Sequence, residues 1–183
     1  MTTWRPEFNP DHLYFVTTKA VDYAHLFRRD LMKRLLVDAL DCLRLRERLT
    51  LYAFVIMPNH IHLVIQCPVA YPVRDLVRDY KKHTADRIIR HYQGENNQQA
   101  LQFLAAKAPP EQKYTVWEAG YQAKEVFSPD FLKQKMEYIH NNPCQPHWCL
   151  VAEPEAYLWS SARFYLTGKP VIIPVKDARA LMV

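Results

Sequence analysis

No two cysteines in this sequence stand in a C-x-x-C arrangement; Cys42, Cys67, Cys144 and Cys149 are scattered. That spacing excludes a zinc knuckle and frames no disulfide scaffold, so the thiols are expected to be reduced, as in a cytoplasmic protein. No stretch is long and apolar enough to span a bilayer, which removes a membrane role. The opening MTTWRPEFNP lacks the apolar segment of a secretory signal. Acidic side chains are also short, 19 against 24 basic ones, leaving a formal charge of +5 and a pI near 9.0. A surplus of that sign favours an anionic partner, nucleic acid first.

What is present is ordinary globular material. Hydrophobic residues make up 49% of 183 positions, enough for a core, and residues 1–183 read as a single domain. Residues 12–19, HLYFVTTK, are β-branched and aromatic and predict a first strand. Residues 21–49 turn helical, with Phe27, Leu31, Leu35 and Ala39 on one stripe and Leu36, Leu40 and Leu43 beside it. Two apolar runs, 51–57 and 60–66, form a hairpin. Both are apolar on two faces, as strands covered by helices should be.

A second amphipathic helix is expected over 73–92, with Leu76, Val77, Tyr80, Thr84 and Ile88 inward. Outward it carries Arg74, Arg78, Lys81, Lys82, Arg87 and Arg90 against Asp75, Asp79 and Asp86. This is the most basic stretch: either a DNA-binding surface or a solvated helix face. Residues 94–113 shift to amides, a short Ala/Leu run and Pro109-Pro110, which predicts a flexible insertion with a helical turn or two. Strand character resumes over 114–127 and is interrupted at Gly120.

Ser128-Pro129-Asp130 is a helix start, and Pro143 ends that helix, whose buried stripe is Leu132, Met136 and Ile139. Residues 143–183 make a C-terminal tail, docked or turn-rich to Gly168 and a surface arm from Lys169. The order β-α-β-β-α-β predicts an α+β, ferredoxin-like fold over 11–127: a four-stranded antiparallel sheet with helices on one face. The helix at 128–142 is an addition packed from outside that unit.

The hairpin carries the chemistry. In AFVIMPNHIH, residues 53–62, His60 and His62 project to one side of a strand while Ile61, Leu63 and Ile65 take the other. Paired imidazoles at a strand start fill a core poorly and hold a divalent cation well. A lone His-x-His is a weak signal, and two histidines can also cap an edge. On the added helix Tyr138 and Asn142 lie one turn apart, with Lys135 three residues before the tyrosine. Singly, these could be a packed tyrosine, a cap before proline and a solvated lysine. A histidine-triad hydrolase would need a third alternating histidine where Val64 stands, and a two-histidine phosphoesterase a second His-x-Ser/Thr motif.

PNHIHLVI, then EYIHNNP, then PEAYLWSSARFYL, in that order, resemble the single-tyrosine HUH transposases, most closely the REP-associated tyrosine transposases. The resemblance runs from Leu13 to Gly168. It implies that His60 and His62 bind a divalent metal, with Asn142 as third ligand, and that Tyr138 attacks a DNA phosphate. Mg²⁺ or Mn²⁺ suits imidazole with oxygen donors, and Zn²⁺ or Co²⁺ is not excluded by ligand type. The implied function is a metal-dependent transesterase that nicks and rejoins single-stranded or hairpin DNA through a 5′-phosphotyrosine. Apart from the resemblance, the helical spacing makes Lys135 a candidate assisting cation for Tyr138. The alternative is a catalytically idle binder of structured single-stranded DNA. Relatives include monomers and dimers that share tyrosine helices, so a homodimer stays open. Two departures stand out: Trp117 is followed by Glu-Ala-Gly-Tyr with no Arg-Phe, and the 94–113 stretch is longer and less basic than usual.

Overall fold

The structure, a computed structural model, describes residues 8–182. Its sheet has four antiparallel strands: β1 (Leu13–Lys19), β2 (Thr50–Ile56), β3 (His60–Gln66) and β4 (Gln122–Val126). Their order is β2-β3-β1-β4, so β1 and β3 are central and the fold is the expected ferredoxin-like one. Helix α1 (Asp30–Leu45) connects β1 to β2 and packs on α2 (Val73–Gly94), which follows β3. Strands β2 and β3 are buried almost throughout because both faces of the sheet are covered.

The α1 helix starts nine residues later than the apolar period suggests. Asp22 and Tyr23 take left-handed backbone angles, φ 55° and 52°, which stop a helix from running through. The buried stripe is Met32, Leu36 and Leu40, whereas Leu31 is exposed and Phe27 is buried ahead of the helix. In α2 the expected inward residues, Leu76, Val77, Tyr80, Thr84 and Ile88, are all buried.

The polar stretch after α2 is more ordered than its composition suggests. Asn97 caps a nine-residue helix, α3 (Gln98–Ala106), by accepting a hydrogen bond from Ala100 N at 3.0 Å. Leu101 and Leu104 bury its apolar side, so the segment is docked. Beyond it only five residues of the expected strand 114–127 form β4. Trp117 instead bridges to Ala20, and Gly120, at φ 71°, turns the chain before β4 begins.

Helix α4 (Pro129–Asn141) is capped as the sequence predicts, Ser128 Oγ accepting from Phe131 N at 3.1 Å, with Leu132, Met136 and Ile139 buried. The tail closes the free edge of β2. Ile56 N donates to Trp159 O, Ser161 N to Phe54 O and Lys176 N to Leu51 O, which covers backbone groups an open edge would expose. After the short helix α5 (Ala162–Thr167), residues 169–182 are not a loose arm. Ile173 and Ala178 are buried, and Tyr165 Oη ties Tyr52 O to Lys176 O.

Candidate active site

Antiparallel register decides which side chains share a face. Thr17 lies opposite His62 and Lys19 opposite His60 on β1, while Val55 lies opposite His62 on β2. His60 and His62 therefore meet Phe15, Thr17 and Lys19 on one side of the sheet, their imidazole centroids 4.6 Å apart. The hairpin that delivers them is closed by Met57 N donating to His60 O across Pro58-Asn59. Helix α4 covers this face: the Tyr138 ring lies edge-on to His62 at 5.1 Å and to Phe15 at 6.1 Å.

Each imidazole is held through Nδ1. Thr17 Oγ1 is 2.7 Å from His62 Nδ1, and Asn59 Oδ1 is 2.6 Å from His60 Nδ1. The other edge of His62, Nε2, is buried with no partner, and so is Asn142 Oδ1. The Asn142 side chain lies near enough to His60 to oppose the lowering of its pKa, without a hydrogen bond between them. Orphaned buried polar atoms are costly unless something satisfies them, and a ring nitrogen beside an amide oxygen suits a cation. The donor set, two imidazoles oriented through Nδ1 and one amide oxygen, fits a divalent metal. Among the described residues no three His, Cys, Asp or Glu side chains form a metal-binding group; the amide is what would complete this one.

Electrostatics keep both imidazoles in ligand form. Burial pushes the His60 pKa down to about 4, the Lys19 charge adds to that, and the Asn142 side chain opposes it. His62 lies well below its ordinary value, mainly through burial, then through His60, Lys19 and Lys135. Neutral imidazoles coordinate metals, whereas imidazolium does not. Lys19 and Lys135 also place positive charge beside the pair, which favours an anionic group there.

Tyr138 is about half exposed, at 48%, while its ring rests edge-on against Phe15 and His62. Lys135 Nζ sits 5.9 Å from the Tyr138 ring centre and closer to Phe15 and Phe131, at 5.2 and 4.8 Å. Its pKa is lowered, by partial burial first and then by Lys124. His60, His62, Tyr138, Asn142 and Lys135 are thus brought together.

The basic helix is a different matter. Arg78 pairs with Asp75 and Asp79, Arg90 with Asp86, and Arg74 lies 3.5 Å from Asp75. Lys81 turns inward and donates to Glu118 O and Gly120 O at 2.6 and 2.7 Å, clamping the turn before β4. Lys82 and Arg87 stand on the same helix. Lys81 and Lys82 line a cleft of about 1330 Å³ with Lys107, Tyr114 and Trp117, away from the histidine pair.

Sequence reasoning missed four neighbours. Asn59 sits inside the motif, and its role was hidden because a turn asparagine is usually a backbone device. Thr17 and Lys19 reach the site only through strand register. Trp148, from the turn after α4, places its ring 5.8 Å from His60 and 5.4 Å from His25, walling one side.

The architecture defines the class: a four-stranded antiparallel sheet and helices in the transposase fold. Residues 11–142 match the family described as "Transposase IS200 like", and the chain belongs to that family, whose members process DNA. Among solved structures it is similar to a REP-associated tyrosine transposase bound to a REP hairpin. Identity is 17%, the TM-score is 0.67, and the match covers 97% of this chain and 93% of that one. A transposase-type protein of Deinococcus radiodurans R1 is 22% identical over 77% of this chain and 97% of its own, with a TM-score of 0.46. No curated protein matches the chain significantly.

Proposed function

We propose that the protein is a metal-dependent transesterase for single-stranded, hairpin-forming DNA, acting in the cytoplasm, with Tyr138 as nucleophile. The observation that carries this is the half-exposed tyrosine set edge-on to a buried histidine whose Nε2, like Asn142 Oδ1, has no partner. His60, His62 and Asn142 would hold Mg²⁺ or Mn²⁺, which supplies Lewis-acid polarisation of the scissile phosphate. Tyr138 Oη forms a bond to phosphorus as the P–O3′ bond breaks. The phenol gives up its proton and the departing 3′ oxygen takes one, leaving a 5′-phosphotyrosine and a free 3′-OH. A phenol near pKa ~10 is a weak nucleophile, so positioning and nearby positive charge must assist it. Lys135 supports the phenolate and the transferred phosphate. A 3′-OH attacking the phosphotyrosine reverses the bond exchange, so strands are rejoined without external energy.

The basic side of α2 contributes phosphate contacts through Arg74, Arg78, Lys82, Arg87 and Arg90, while Lys81 acts through the turn it clamps. The test is trapping of a covalent protein–DNA adduct on labelled single-stranded hairpins with Mn²⁺. Wild type is expected to form it. Tyr138→Phe, which removes only the phenolic oxygen, forms none yet keeps fold and DNA affinity. DNA binding by wild type with no adduct would make the protein an idle binder. An adduct in Tyr138→Phe would move the nucleophile elsewhere.

A further inference from the structure

The two histidines are held differently, and the difference lies in what their partners can do. Thr17 hydroxyl can donate or accept, so it leaves the His62 proton free to sit on either nitrogen. Asn59 has no such freedom. Its amide spans two groups: Nδ2 donates to the Tyr23 carbonyl at 3.1 Å, and Oδ1 faces His60 Nδ1 at 2.6 Å. Rotating the amide by half a turn would set its oxygen against a backbone carbonyl, which can only accept. That carbonyl therefore fixes which end of the amide faces the histidine. With only an acceptor opposite it, Nδ1 must carry the proton, and the lone pair of the neutral ring falls on Nε2.

The geometry points to Asn59 as the positioning residue that fixes His60 in its Nδ1–H form and so turns Nε2 into a ready metal ligand. The information comes from the 20–24 turn. Asp22 and Tyr23 hold left-handed backbone angles, unusual for residues with side chains, and these aim the Tyr23 carbonyl at the amide. Ala20 N donates to Asn59 O at 2.8 Å and locks the two turns together. Asn59 is only 8% exposed, so water does not compete freely for either end of its side chain. The part concerning metal rests on the proposed reading of the site; the part concerning the proton does not.

The test separates the two. Nitrogen-15 NMR of the metal-free protein, at a pH where both histidines are neutral, is expected to show His60 Nδ1 as the protonated nitrogen and Nε2 as the bare one. A wild-type ring protonated on Nε2 overturns the proposal without any substitution. Asn59→Leu and Asn59→Asp both lose the bond to Tyr23, and only the second keeps an acceptor for Nδ1. Asn59→Asp should retain the Nδ1–H form and Mn²⁺ affinity within a few-fold of wild type. Asn59→Leu should give a mixture of tautomers and bind Mn²⁺ about 10- to 100-fold more weakly, the loss usual when an orienting partner is removed. Asn59→Leu with an unchanged tautomer and unchanged Mn²⁺ affinity would refute the role. Wild type that carries Nδ1–H yet binds no Mn²⁺ would support the proton assignment and strike only at the metal reading.

Discussion

Acid should loosen the attachment of the tyrosine helix, and His140 is where the effect can be sized. This residue follows Tyr138 by two positions on α4 and is 7% exposed. Its Nε2 lies 2.9 Å from Ser161 Oγ, which also receives Phe54 N, so it ties α4 to the tail segment lying along β2. Burial pushes its pKa from the ordinary 6.5 down to about 4. The folded protein therefore resists a proton that the unfolded chain accepts. The stability from keeping His140 neutral is full above pH 6.5 and is lost progressively as pH falls toward 4. A shift of that size corresponds to about 3 kcal/mol, a large part of the ~5–15 kcal/mol that holds a typical domain together. Urea unfolding midpoints between pH 7 and 4 read it. His140→Gln, which keeps a polar group for Ser161 but does not titrate, should lose less stability across that window than wild type. His60 and His62 still contribute in both proteins, so the difference between the two curves belongs to His140. Parallel curves would refute the reasoning.

Asn142→Ala should bind Mn²⁺ more weakly by calorimetry and form the adduct slowly, because the nucleophile stays while one oxygen donor goes. Chelation should lower the thermal midpoint relative to protein in saturating Mn²⁺, by the equivalent of about 2.7 kcal/mol at a hundredfold excess over Kd; an unchanged midpoint would count against the site. Lys82→Glu should weaken hairpin-DNA binding and shallow its salt dependence, by about one unit of slope for each phosphate the side chain no longer neutralises. Lys81→Met should show up mainly as lower stability, ~1–3 kcal/mol in thermal unfolding, since it leaves the Glu118 and Gly120 carbonyls without their donor.

The sequence by itself determined the parts whose cause is local. Alternation put His60 and His62 on one face, a serine cap and a proline stop bounded α4, and helical spacing set Tyr138 and Asn142 one turn apart. The element order sufficed for the ferredoxin-like sheet, since βαββαβ leaves few ways to pair four strands. Composition misled where long-range partners outweigh local preference. Residues 94–113 are polar, yet two leucines and an asparagine cap are enough to dock α3 once α2 offers a surface. The 169–182 segment carries weak periodicity, but the unpaired edge of β2 gives its backbone somewhere to bind. Only tertiary structure could decide that Lys81 faces carbonyls, because no spacing reveals a neighbour 37 and 39 residues away. It alone set Thr17 and Asn59 behind the histidines. Strand register and a strained turn choose those partners, and neither can be read from the residues one at a time.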